Sequence, residues 1–172
     1  MKHPLVRLLA TLAAWACLVL PAGAQLSSIT VSLVPASVAF ALTRDSASNP
    51  GNATLSVTTA WSVLLPGQTI ALYGYFASAS AALAHTTPAN IVDIPSSRVS
   101  VSVNGGAAAA FDQIVAFGAA GAGRRLVSQG VTLLTLSGNR TDTLALNINL
   151  SGYTLIPDTY TGTLRIRAQV TP

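Results

Sequence analysis

From Ser28 onward, apolar residues alternate with small hydroxyl-bearing ones along most of this chain. Ile29, Val31 and Leu33 fall on one side and Ser28, Thr30 and Ser32 on the other, the period-two pattern of a half-buried strand. Pro35 interrupts, and Val38, Phe40 and Leu42 resume the phase, which predicts an edge strand that kinks or changes sheet. Residues 45–52, with Asn49-Pro50-Gly51-Asn52, read as a loop by their turn chemistry. Next, Leu55, Val57, Thr59 and Trp61 share one face opposite Thr54, Ser56, Thr58 and Ala60. Pro66-Gly67 supplies a turn, and a strand over 69–77 sets Ile70, Leu72 and Phe76 against Ala71, Tyr73 and Tyr75. A β-hairpin or a short β-arch joins these two strands.

Residues 78–85 are alanine-rich and compatible with a helical turn, which Pro88 and Pro95 keep short. Val99, Val101 and Val103 form a strand that runs into Asn104-Gly105-Gly106, a hairpin signal predicting a returning partner over 107–117. Residues 118–123 are a glycine-rich loop. Residues 131–136 read as a strand turned by Ser137-Gly138-Asn139-Arg140, before Leu144, Leu146, Ile148 and Leu150 alternate with Ala145, Asn147 and Asn149. A loop through Pro157-Asp158 leads to a last strand with Tyr160, Gly162, Leu164, Ile166, Ala168 and Val170 inward. Arg165 and Arg167 lie on its outer side, and two such charges cannot share a dry core, which determines the register. Eight or nine short strands with turns between them predict an all-β, Greek-key (Ig-like) sandwich of antiparallel strands. An eight-stranded outer-membrane barrel is the competing closed form, but nine aromatics spread over residues 25–172 make no pair of girdles.

The first 24 residues differ in kind. Lys2 and Arg7 precede an apolar run from Leu8 to Leu20, Pro21 breaks it, and Ala22-Gly23-Ala24 supplies small residues. That is the layout of a secretory signal peptide, and the run is shorter than the ~20 residues a spanning helix needs. Cleavage is expected between Ala24 and Gln25, leaving residues 25–172 as one domain with no membrane span. An uncleaved anchor needs a longer core, and a lipoprotein site at Cys17 is contradicted by Leu18-Val19-Leu20 continuing the run. The expected localisation is secreted: periplasm, extracellular space or cell surface.

Cleavage removes Cys17 and Met1, the chain's sole cysteine and methionine. No disulfide can then form despite export, and stability must come from burial and strand pairing. The remaining charges are seven arginines against five aspartates. The pI near 9.8 therefore reflects few charges of either sign, and no arginine stripe interleaved with aromatics points to nucleic acid.

The segment Leu155-Ile156-Pro157-Asp158-Thr159-Tyr160-Thr161-Gly162-Thr163-Leu164 resembles the approach to a late strand in bacterial secreted Ig-like domains of the spore-coat-U and fimbrial-subunit type. There a Pro/Gly corner precedes Tyr-Thr-x-Thr and an alternating strand. Chaperone-assembled pilins usually carry a disulfide and a penultimate aromatic, and residues 25–172 have neither. The resemblance implies an assembled or surface-exposed structural domain.

Little in the chain suggests chemistry. His85 is the sole histidine after residue 24 and sits in an Ala/Thr/Pro loop, where it reads as solvent-exposed. Zinc needs three or four ligands drawn mainly from Cys and His. Asp45, Asp93, Asp112, Asp142 and Asp158 are dispersed, with none of the every-second-residue spacing of a calcium loop, and read as turn and capping residues. Three Asn-x-Ser/Thr patterns, at Asn52, Asn139 and Asn149, read as chance matches. No catalytic, cofactor-binding or metal-ligating residue is assigned. Tyr73 and Tyr75 share the face opposite Ile70, Leu72 and Phe76, so they form a stacking platform for a sugar or a partner if the aliphatic face is the core; otherwise they cover apolar neighbours. Arg124-Arg125 reads as a solvated loop. The expected function is an exported, non-catalytic structural or adhesive surface protein, with residues 29–33 able to pair with a second subunit by strand addition. The alternative is a carbohydrate-binding module using Tyr73 and Tyr75.

Overall fold

The computed structural model describes residues 27–172; the expected signal peptide, its Ala24/Gln25 junction and Cys17 lie outside them. The described residues form β1 (Ser28–Val34), β2 (Asn49–Pro50), β3 (Leu55–Ser62), β4 (Thr69–Tyr75), β5 (Ala84–His85), β6 (Val99–Val103), β7 (Ala109–Ala110), β8 (Gly123–Gly130), β9 (Ser137–Ile148), β10 (Tyr160–Thr161) and β11 (Arg165–Thr171). One 3-10 turn, Ser96–Arg98, precedes β6. The domain is all-β and every ladder is antiparallel. The larger sheet runs β1-β3-β9-β6-β7 with β2 on β9; a second runs β11-β4-β8; β10 and β5 form a separate short ladder.

The alternating residues make these strands because each places one apolar row between the sheets. In β3, Leu55, Val57 and Trp61 are buried, and in β9 Leu144, Leu146 and Ile148 are. All of these but Trp61 meet Leu72 and Ala168 of the smaller sheet, and Phe76 just after β4, in one core, sandwich-like in arrangement. Phe111 enters this core edge-on to Phe76, with ring centroids 5.2 Å apart. A second cluster of Trp61, Val63, Ile70 and Val131 closes one end. β3 pairs with β1 and β9, whereas β4 pairs with β11 and β8. The Pro66-Gly67 turn is therefore an arch between sheets. An arch makes the apolar faces of β3 and β4 oppose each other, whereas a hairpin would set them side by side.

Several expectations are corrected. Residues 45–52 are not all loop, because Asn49–Pro50 pairs with β9 and buried Asn49 donates to the Ile148 carbonyl at 2.9 Å. Residues 78–85 contain no helix. Asn104 and Gly105 both have positive φ and Gly106 N–H donates to Val103 O, the two-residue hairpin turn predicted. The returning strand β7 is nevertheless only two residues long. Phe111 dives into the core and Gln113 then bonds Gly123 on the other sheet.

The strand expected over 131–136 is instead a turn, closed by Thr132 N–H to Thr135 Oγ1 and Thr135 N–H to Thr132 O. The turn expected over 137–140 is the start of β9, paired residue by residue with the end of β3. Gly138 permits this, because a Cβ there would lie 2.9 Å from the Trp61 ring facing it. The last strand is broken: β10 pairs with β5, and β11 starts only at Arg165. Among the described residues, no helix is long and apolar enough to cross a membrane.

Candidate binding face

Tyr73 and Tyr75 lie on the outer side of β4, the central strand of the smaller sheet. Register decides their neighbours. Arg167 of β11 and Arg125 of β8 flank Tyr73 on one rung. Arg165 and Gly123 flank Tyr75 on another rung of the same side. Adjacent strands lie about 4.8 Å apart, so rings and guanidinium groups form one continuous surface.

A loop covers part of it. Phe117 lies over both tyrosines, with centroids 5.7 Å from Tyr73 and 5.8 Å from Tyr75. The Arg167 guanidinium stands 4.3 Å from the Phe117 centroid, within the range of a cation–π contact. Gly118 allows the loop this close: its φ is +79°, and a Cβ would fall 2.5 Å from Tyr75 Cδ2 and 2.7 Å from Phe76 O. Both tyrosines are half-buried, so the bare platform conceived from sequence is a stacked, partly covered cluster. Arg125, Arg165 and Arg167 are exposed. The ion pairs among the described residues are His85–Asp93, Arg124–Asp112 and Arg140–Asp142, none of which neutralises these three. The arrangement suits a flat partner carrying negative charge or acceptor oxygens.

Arg124 and Arg125 are not in a loop. They belong to β8, where Arg124 donates to Ala110 O at 3.1 Å and Arg125 stays in solvent. Phe117 gave no signal in the sequence, since it sits in irregular chain and meets the tyrosines only through the fold. The outward phase of Arg165 and Arg167 was readable, but their proximity to Tyr75 and Tyr73 depended on strand order.

His85 is not a free loop histidine. Its Nδ1 lies 2.7 Å from Asp93 Oδ1, and its backbone N–H donates to the same oxygen at 3.0 Å. That backbone hydrogen bond, with the His85 ring, holds the Asp93 carboxyl below its ordinary value. Nearby, Asp158 accepts from Asn90, from the Thr86 and Thr87 hydroxyls, and from the backbone of Thr87 and Thr159. Asn90 foremost, then Thr87 and Thr159, hold the Asp158 carboxyl far below the usual carboxylate range. These contacts clasp the loop around β5 to the chain entering β10. Asp45 likewise ties a turn, accepting from Gly152 N–H at 2.6 Å.

Asp142 departs from the turn-and-cap reading altogether. It is buried on the inner side of β9, bonded to Arg140 at 2.6 and 2.8 Å and to Asn104 at 2.7 Å. Burial raises its carboxyl, and the Arg140 and Asn104 hydrogen bonds with the Arg140 charge outweigh that, leaving it below ordinary.

Among the described residues, no group of three or more His, Cys, Asp or Glu could hold a metal. A cavity of about 680 Å³ opens between residues 36–42 and 158–164, walled mainly by Leu33, Phe40, Phe76, Leu146, Tyr160 and Leu164. Asp158, Thr159, Thr161 and Thr163 give it a polar side as well. The fold is all-β, and its smaller sheet carries an arginine–aromatic cluster on the outer side. No protein-family model, curated protein or solved structure matches the chain.

Proposed function

We propose that this chain is an exported, non-catalytic structural or adhesive module of the bacterial surface, Ig-like and Greek-key in connectivity. The observation that carries the reading is the outer side of β11-β4-β8, where exposed arginines without acidic partners frame the Tyr73–Phe117–Tyr75 cluster. Such a face is suited to recognition, since aromatic and arginine side chains give large contact area and directional hydrogen bonds. The signal-peptide layout of residues 1–24 supports export. The β3–β4 arch and the return of β9 between β3 and β6 support Greek-key connectivity. β1 is the edge strand of the larger sheet, paired on one side to β3 with β11 of the smaller sheet close by, and strand addition would take place at this edge.

A carbohydrate-binding module is the second reading, favoured by the stacking of Phe117 on both tyrosines. Binding of purified protein to intact bacterial cells and to a glycan array tests both. The adhesive reading expects cell binding that falls at least tenfold in Arg165→Ala/Arg167→Ala. Glycan binding lost in Tyr73→Ala and Tyr75→Ala would establish the carbohydrate reading instead. Cell binding identical in wild type and all these variants would remove this face from both.

A further inference from the structure

β1, β3, β4, β8, β9 and β11 run so that Ser28, Ser62, Thr69, Gly130, Ser137 and Thr171 gather at one pole of the domain. Two turns project there. Val63 N–H donates to Leu136 O and Gly67 N–H to Val131 O, so residues 63–67 and 131–136 are tied to each other at both ends. Between the ties stand two leucine pairs, Leu64 and Leu65 at 55% and 63% exposure, Leu133 and Leu134 at 74% and 96%. Adjacent leucine pairs on two joined turns make one apolar knob, and a side chain as exposed as Leu134 protrudes rather than lining a groove.

The knob is rigidly built. Trp61, Val63, Ile70 and Val131 pack beneath it, and Trp61 Nε1 donates to Thr135 O at 3.0 Å. Thr132 and Thr135 satisfy each other's backbone and hydroxyl groups. These bonds hold the bases of both turns, while the backbone of the four leucines takes its partners from water, which confines any insertion to the hydrated interfacial layer rather than the hydrocarbon core. No Asp, Glu, Lys or Arg occurs in residues 62–68 or 130–139, so no charge must be desolvated either. Isolated exposed leucines need no explanation, but four contiguous ones without a charge do.

We infer that this pole is a lipid-docking tip that inserts its four leucines into the interfacial layer of a bilayer. A second copy of the chain fits less well. Four leucines expose on the order of a few hundred Å², short of the roughly 800 Å² per partner of a stable protein interface, whereas interfacial binding grows with each apolar group buried and has no such minimum. The chain also enters the domain at this pole, where Ser27 and Leu65 border one shallow hollow with Pro172. The candidate binding face lies along the side of the domain, so a docked tip leaves it presented to solvent.

An environment-sensitive fluorophore on Leu134→Cys, in the full chain with Cys17→Ser, tests the tip against vesicles of phosphatidylethanolamine and phosphatidylglycerol. The control carries the label on Ile114→Cys, an exposed site on the loop beside the binding face. The tip label is expected to shift blue and to be quenched by lipid-borne nitroxide, while the control label does neither. Leu64→Ser/Leu65→Ser/Leu133→Ser should then lower the vesicle concentration dependence of the tip signal at least tenfold. A tip label that stays in water with vesicles present overturns the inference, even if the chain floats with them. A blue shift that rises with protein concentration without vesicles also overturns it and makes the pole a self-association surface.

Discussion

Asp142 shows how one residue can be misread by type and correctly placed by phase. An aspartate beside Thr141 and Arg140 suggests a turn, yet Gly138, Arg140, Asp142 and Leu144 fall in step with the inward row of β9. A carboxylate facing a core must be compensated. Arg140 and Asn104 do that, with Arg140 anchored further by Gln129 at 2.9 Å. Asp142→Asn leaves a guanidinium unpaired between the sheets. Loss of one partner of a buried pair costs about 3–5 kcal/mol, and since the Arg140 side chain is 29% exposed about 2 kcal/mol is expected, read from urea unfolding at pH 7. The carboxyl is depressed in the folded state relative to about 3.9 unfolded, so its contribution is full above that value and fades as pH falls below about 4. The gap between wild type and variant should hold from pH 7 to 5 and then narrow. An unchanged midpoint at pH 7 would contradict the pairing.

At the scale of elements, alternation was legible wherever a strand is buried on one side, as in β1, β3 and the second half of β9. It misled where apolar residues belong to a turn. Val131 and Leu136 pack under Trp61 while Leu133 and Leu134 face out, so the run 131–136 looks like a strand by composition without being one. β8 was hidden for the opposite reason: Arg124, Arg125, Ser128 and Gln129 give it few apolar residues, and its extra residue Leu126, opposite the Leu72–Tyr73 step of β4, shifts its phase. The loop over β4 depends on Gly118. Gly118→Ala imposes positive φ on a side-chain-bearing residue and a contact with Tyr75 and Phe76, at a cost of about 1–3 kcal/mol. The expected NMR result is loss of the Phe117 ring-current shifts on Tyr73 and Tyr75. Unaltered shifts with unaltered stability would refute the tight approach.

For the whole molecule, β1 is the element through which the proposed strand addition would run. Its seven rungs on β3 make it the outermost strand of the larger sheet, and Ile29, Val31 and Leu33 pack against the core. Exposed strand edges pair readily. Size-exclusion chromatography of the chain with and without residues 25–35 reads this directly. Strand addition through β1 predicts oligomers that disappear on deletion. A well-folded monomer of the same elution volume in both removes that mode of assembly.

What the sequence by itself determined is the content of the strands: two-residue periodicity commits Leu55, Val57, Leu144, Leu146 and Ile148 to one side and Arg165 and Arg167 to the other, because solvation penalises any other register. Which strands become neighbours was settled only by the tertiary structure. Pairing of β4 with β8 and β11, the crossing of residues 111–122 to lay Phe117 on Tyr73 and Tyr75, and the gathering of Leu64, Leu65, Leu133 and Leu134 at one pole join residues far apart in the chain. Local pattern carries no term for such contacts; they follow from closing two apolar sheet faces on each other.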